Sequence, residues 1–152
     1  MVYVEFLLGA VSRIQIVEWA SRILTSIDPI ANSPEIISLA ELKGINSDEW
    51  KIQPENLLKQ VVQRHYADFN VGSLETEIYA RSCLRKKCAD YLVGVLQHSE
   101  LFCVVENIHR LFDNPIWLGK LHILACKGCY YTNQDHFSCE LINEVKQRLL
   151  EL

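Results

Sequence analysis

Apolar residues recur along this chain at spacings of three and four, and the stretches that carry them open with Ser, Asp or Pro and close near Gly or Asn. Such spacing puts side chains on one side of a 3.6-residue helix, so the pattern predicts an all-α protein. Near the start, Leu7, Val11 and Ile14 keep one phase, which allows a continuous helix over residues 3–25. Gly9 followed by Ser12 and Gln15 reads instead as two helices meeting at a corner, because Ser-x-x-Gln forms a reciprocal capping box. Ile14, Val17, Ala20 and Leu24 are then the expected buried face.

The clearest helix start is Ser33-Pro34-Glu35: a cap, a first-turn proline whose missing N–H costs nothing, and a carboxylate at the positive end of the helix dipole. Ile36, Leu39, Ala40 and Leu42 supply its core face, and Gly44 and Ile45 supply the left-handed stop and a hydrophobic clasp. Pro54 opens the next stripe, Leu57, Leu58, Val61, Val62, His65, Tyr66 and Phe69, which Asn70 and Gly72 end. Ser73 caps the longest helix, residues 74–97, with Leu74, Ile78, Leu84, Cys88, Tyr91, Leu92 and Val95 expected inward. Ser99 opens a helix through Val104, Val105, Ile108 and Leu111. Asn114-Pro115 opens one through Trp117, Leu118, Leu121, Leu124 and Ala125. Gln134 and Asp135 open the last, through Phe137, Leu141, Ile142, Val145 and Leu149.

Seven or eight short-to-medium helices with short connections follow, forming one compact bundle over residues 1–152. A short superhelix of stacked helix pairs fits the pattern as well. Strand alternation, fixed-period repeats and low-complexity tracts are absent from the sequence.

Composition narrows the function classes. With 152 residues, 49% of them hydrophobic, the chain can bury a core without a disulfide staple. A formal charge of −4 and a pI of about 5.7 make nucleic acid an unlikely partner. The basic run Arg81, Arg85, Lys86 and Lys87 is flanked by Glu75, Glu77 and Asp90 and reads as a solvated face. Glu5 interrupts the apolar start, so neither a signal peptide nor a membrane span is expected. The six cysteines are then reduced thiols of a cytoplasmic protein.

One cluster carries candidate chemistry. His122, Cys126 and Cys129 are spaced i, i+4, i+7 on one side of a helix, and His136 and Cys139 follow across a short loop. Any four of the five match the thiolate and imidazole sets that zinc prefers, although the six-residue gap between the Cys126-x2-Cys129 and His136-x2-Cys139 pairs is shorter than usual. The competing reading, with no cofactor, is that these thiols complete a core. A deaminase site is excluded because no H-x-E or P-C-x-x-C context surrounds the cluster. His65 with Arg64 and Asp68 can in principle supply a base, a cation and a carboxylate, but the spacing carries little information.

Catalytic motifs do not appear, so no catalytic residue is named. Trp50, in the polar segment Ser47-Asp48-Glu49-Trp50-Lys51, and Tyr130 and Tyr131 are candidate anchors for a partner, or lids over the core. The capped helices and the Trp117-Leu118-Gly119 stretch bear a faint resemblance to small all-helical bacterial proteins, some of which neutralise toxins. The leading expectation is a non-catalytic protein–protein interaction protein, an adaptor or one of the immunity or antitoxin type, of unspecified oligomeric state. The alternative is a zinc-binding or metal-sensing helical protein using residues 122–139.

Overall fold

The structure, a computed structural model, describes the backbone of residues 2–130 and 134–152, and the side chains of all these residues except 127–130 and 134–138. The fold is all-α and multi-helical: α1 (Val2–Leu7), α2 (Arg13–Leu24), α3 (Pro34–Glu41), α4 (Pro54–His65), α5 (Leu74–Leu92), α6 (His98–Leu111), α7 (Leu121–Tyr130) and α8 (Gln134–Glu151), with 3-10 turns at Pro29–Asn32, Ser47–Glu49 and Ile116–Leu118. No described helix is long and apolar enough to cross a membrane. The chain divides into two compact units, Met1–Phe6 with Val11–Asn70, and Leu7–Ala10 with Val71–Leu152.

The first unit is built on α2, α3 and α4. The chain breaks between α1 and α2 as the corner requires: Gly9, which belongs to the second unit, takes φ +69, and at the start of α2 the Ser12 hydroxyl accepts from the Gln15 N–H while the Gln15 side chain accepts from the Ser12 N–H. Ile16, Ala20, Ile30, Ile36, Leu39, Leu57, Leu58 and Val61 form the core, with Phe6 and Trp19 packed on it. Ile14 and Leu24 are exposed, contrary to expectation, because the face that meets α3 and α4 is centred on Ile16, Val17 and Ala20. Ser33 caps α3 as expected, but Glu35 does more than meet the dipole. It is buried, and its carboxylate pairs with Arg64 of α4 at 2.9 Å.

In the second unit α5, α6, α7 and α8 each pack on the next, and α8 returns to α5. Helix α5 stops at Leu92, short of residue 97, because Gly94 turns the chain at φ +75. The next helix begins at His98 and is capped by Gln97 rather than opened by Ser99, with the Gln97 N–H donating to the Glu100 carboxylate at 2.8 Å. The buried line on α5 is Thr76, Ala80, Leu84 and Cys88, while Leu74, Ile78 and Val95 face outward. Small Thr and Ala side chains let a neighbouring element approach this line closely, so residue size overrides apolar count in choosing the face. Arg81 pairs with Glu77 at 2.6 Å and lies 5.1 Å from the centroid of the Trp117 ring. Asn114-Pro115 opens only the 3-10 turn; Gly119 breaks the chain, and α7 begins at Leu121.

Candidate metal centre

Two neighbouring helices of the second unit supply the site. On α6, Glu106, His109 and Arg110 share a face at spacings of three and four; on α7, His122 and Cys126 lie one turn apart. The His98 ring at the start of α6 donates from Nε2 to the Ala125 carbonyl at 3.2 Å, which fixes α7 beside Cys126. Buried Leu101, Val104, Val105 and Ile108 on α6 and Leu121, Leu124 and Ala125 on α7 lie on the apolar sides of the same helices.

Three donor atoms converge. His122 Nε2 is 2.9 Å from Glu106 Oε2 and 3.4 Å from Cys126 Sγ, and the donor atoms of all three residues lie within 4.8 Å of one another. The other carboxylate oxygen, Oε1, accepts from Arg110 Nε at 2.9 Å, which leaves Oε2 turned to the centre. The hydrogen bond from His122 lowers the pKa of the Glu106 carboxyl from its ordinary value; burial opposes this, and Arg110 adds to it. His109 stacks on His122 with centroids 3.8 Å apart and planes 15° from parallel. Its ring lies in a plane nearly parallel to that of His122, and it is not among the three converging residues.

A nucleophilic Cys–His arrangement needs the thiol on one imidazole nitrogen and the orienting carboxylate on the other. Here both partners meet the same nitrogen, Nε2. Convergence on one point is the geometry of ligation. Bond lengths of about 2.3, 2.05 and 2.0 Å for sulfur, nitrogen and oxygen on tetrahedral zinc imply ligand separations of about 3.6 Å for S···N and about 3.3 Å for N···O. The observed 3.4 and 2.9 Å lie within about 0.4 Å of these separations.

No family model, curated protein or solved structure matches the chain.

Of the residues named from the sequence, the structure brings together His122 and Cys126 and leaves Cys139 exposed and outside the group. The side chains of Cys129, His136 and Tyr130, and the whole of Tyr131, lie outside the described residues. Trp50 is half-buried, and its indole N–H donates to the Ile45 carbonyl at 3.2 Å. His65 and Asp68 are exposed and Arg64 is engaged with Glu35, so the triad considered on that helix is not assembled. Glu106 escaped the sequence reading because it comes from another helix, sixteen residues before His122. The one available signal was its i, i+3, i+4 grouping with His109 and Arg110.

Proposed function

We propose that the chain is a transition-metal-binding protein whose centre is formed by Glu106, His122 and Cys126, with zinc as the metal. The support is the convergence of one carboxylate, one imidazole and one thiol from two helices on a single point. This mixed donor set suits a borderline-soft divalent ion better than magnesium or calcium, which take oxygen ligands. Arg110 on the far carboxylate oxygen is the outer-shell partner that orients a ligating carboxylate. Bound metal ties α6 to α7 and adds its binding energy to folding. A free thiol ready to ligate fits the reducing setting of the cytoplasm, which the same reading proposes as the location.

Protein prepared without chelator is expected to carry close to one zinc per chain. At a free zinc concentration of about 100 Kd, linkage adds about 2.7 kcal/mol, which raises the melting temperature by about 5–10 °C for a chain of this size. Cys126→Ser and His122→Ala remove the shift. Absence of stoichiometric zinc, with a melting curve indifferent to zinc and to chelator, overturns the proposal.

Binding of another protein is the second reading, supported by the surround of Trp50. Ile14 and Ile45 stay exposed beside the half-buried indole and line a cavity of about 340 Å³ with Leu42. A photo-crosslinking side chain in place of Ile45 is expected to capture one defined partner in host cells, and Trp50→Ala to abolish capture; undiminished capture refutes this reading.

A further inference from the structure

We infer that His109 is the positioning residue of this centre: its ring, laid flat on His122, fixes the plane in which the His122 imidazole presents Nε2 to Glu106 and Cys126. This role rests on the metal reading above and names what sets the geometry of that site. A histidine side chain does not fix its own ring plane. The terminal torsion of an imidazole is broad and roughly two-fold, so the His122 ring turns about its Cβ–Cγ bond at little cost unless neighbours prevent it. Hydrogen bonding restrains one corner of the ring, Nε2, at 2.9 Å from Glu106 Oε2 and 3.4 Å from Cys126 Sγ. Fixing a plane takes a further restraint, on a face.

His109 supplies it. The two centroids lie 3.8 Å apart with the planes 15° from parallel, which is van der Waals contact across a face, so turning the His122 ring drives its edge into His109. His109 is half-buried and follows the fully buried Ile108, so the backbone that carries it is held by the packed side of α6. Glu106, His109 and Arg110 share one face of that helix at spacings of three and four. From this face Glu106 meets the edge of the α7 imidazole, His109 meets its flat side, and Arg110 holds the second carboxylate oxygen at 2.9 Å. His122 is thereby oriented before an ion arrives, which lowers the ordering cost of binding. Stacking needs a flat ring and no nitrogen, which separates this role from ligation by His109.

Cobalt(II) replaces zinc in such sites and makes the coordination visible, so the full chain and its variants are titrated with it. In parallel, NMR of the metal-free protein reads whether the His122 ring holds one orientation, from the couplings and ring-proton contacts of that side chain. His109→Ala is expected to average the His122 orientation and to raise the cobalt concentration for half-saturation roughly tenfold, with the same bands at saturation, because the ligands are unchanged. His109→Phe restores the flat ring and is expected to return both readouts to those of the wild type. Equal cobalt affinity in His109→Ala, or a single His122 orientation there, overturns the positioning role while the metal reading stands. Binding as weak in His109→Phe as in His109→Ala also overturns it, since the ring nitrogens and not the stack then matter. If the wild-type chain gives no d–d or charge-transfer bands with cobalt, the metal reading itself falls, and this role with it.

Discussion

Replacing Gly119 by alanine tests how tightly the second unit is built around one backbone position. Gly119 sits at φ +58 and ψ −137, a region that side chains with a Cβ rarely enter, and strain of this kind costs about 1–3 kcal/mol. The added methyl has no room either. A Cβ there falls 2.9 Å from Glu144 Oε1 and 3.0 Å from Arg148 Cζ and Nη1. These atoms end long side chains, but both residues are buried and committed. Glu144 Oε1 accepts from the Lys120 N–H at 3.2 Å and pairs with Arg148 Nε at 3.1 Å, and Arg148 Nη1 donates to the Trp117 carbonyl at 3.3 Å. Moving them aside weakens buried charged hydrogen bonds, worth about 1.5–3 kcal/mol. Gly119→Ala is therefore expected to lose about 3–5 kcal/mol in urea denaturation followed by circular dichroism. Gly94→Ala is the control: Gly94 also has positive φ, +75, but nothing lies within 4 Å of its Cβ position, so only the backbone cost of about 1 kcal/mol applies. Equal losses in the two variants refute the argument that the Glu144–Arg148 pair occupies the space a side chain needs.

Other perturbations probe other parts. Arg64→Ala leaves the buried Glu35 carboxylate without its cation; because Arg64 is half-exposed, the expected loss is about 1 kcal/mol, and it shrinks on the Glu35→Gln background, so that an unchanged loss in the double-mutant cycle refutes the pairing. Burial pushes the Cys88 thiol from its ordinary 9.0 up to about 12, against a smaller opposing effect of Arg148. The unfolded chain releases this proton first, so the stabilisation is whole below pH 9 and lost between pH 9 and about 12, at no more than about 1.4 kcal/mol per pH unit. Cys88→Ala is expected to flatten the alkaline fall in stability, and identical slopes in wild type and variant count against it. Ile108→Val removes a fully buried methyl from α6, costs about 1 kcal/mol, and is expected to weaken zinc several-fold by loosening α6 against α7; unchanged zinc affinity in a titration argues that the ligand geometry does not depend on this packing.

How much of this was legible in the sequence depends on whether a feature is local. The capping box at Ser12 and Gln15 and the Ser33-Pro34 start involve residues within four positions of each other and occur as read; Gly44 does take a left-handed conformation at φ +87, but α3 has already ended at Glu41 and Ile45 is exposed rather than clasped on it. Choosing the buried face was less reliable because it depends on the neighbour a helix meets. On α5 an apolar count favours Leu74 and Ile78, yet Thr76 and Ala80 are inside. On α8 the buried set includes Glu144 and Arg148, two charges that no hydrophobic period marks as internal, placed there by the demands of the Gly119 turn. Polar residues enter a core when a distant backbone irregularity supplies their partners.

The same distinction divides the candidate metal centre. His122 and Cys126 are one turn apart on one helix, so helical geometry alone brings them together, and their pairing could be read from the spacing. Glu106 joins them only because α6 packs on α7 in the register fixed by its buried side chains and by His98 on the Ala125 carbonyl. Sequence spacing sought further donors along the chain at Cys129, His136 and Cys139; of these Cys139 is exposed and outside the group, the other two side chains lie outside the described residues, and tertiary packing brings Glu106 to the group from the preceding helix. A centre assembled in this way couples metal affinity to the alignment of two helices. On the metal-binding proposal, affinity depends on that alignment, and a bound ion resists any motion that would separate the two helices.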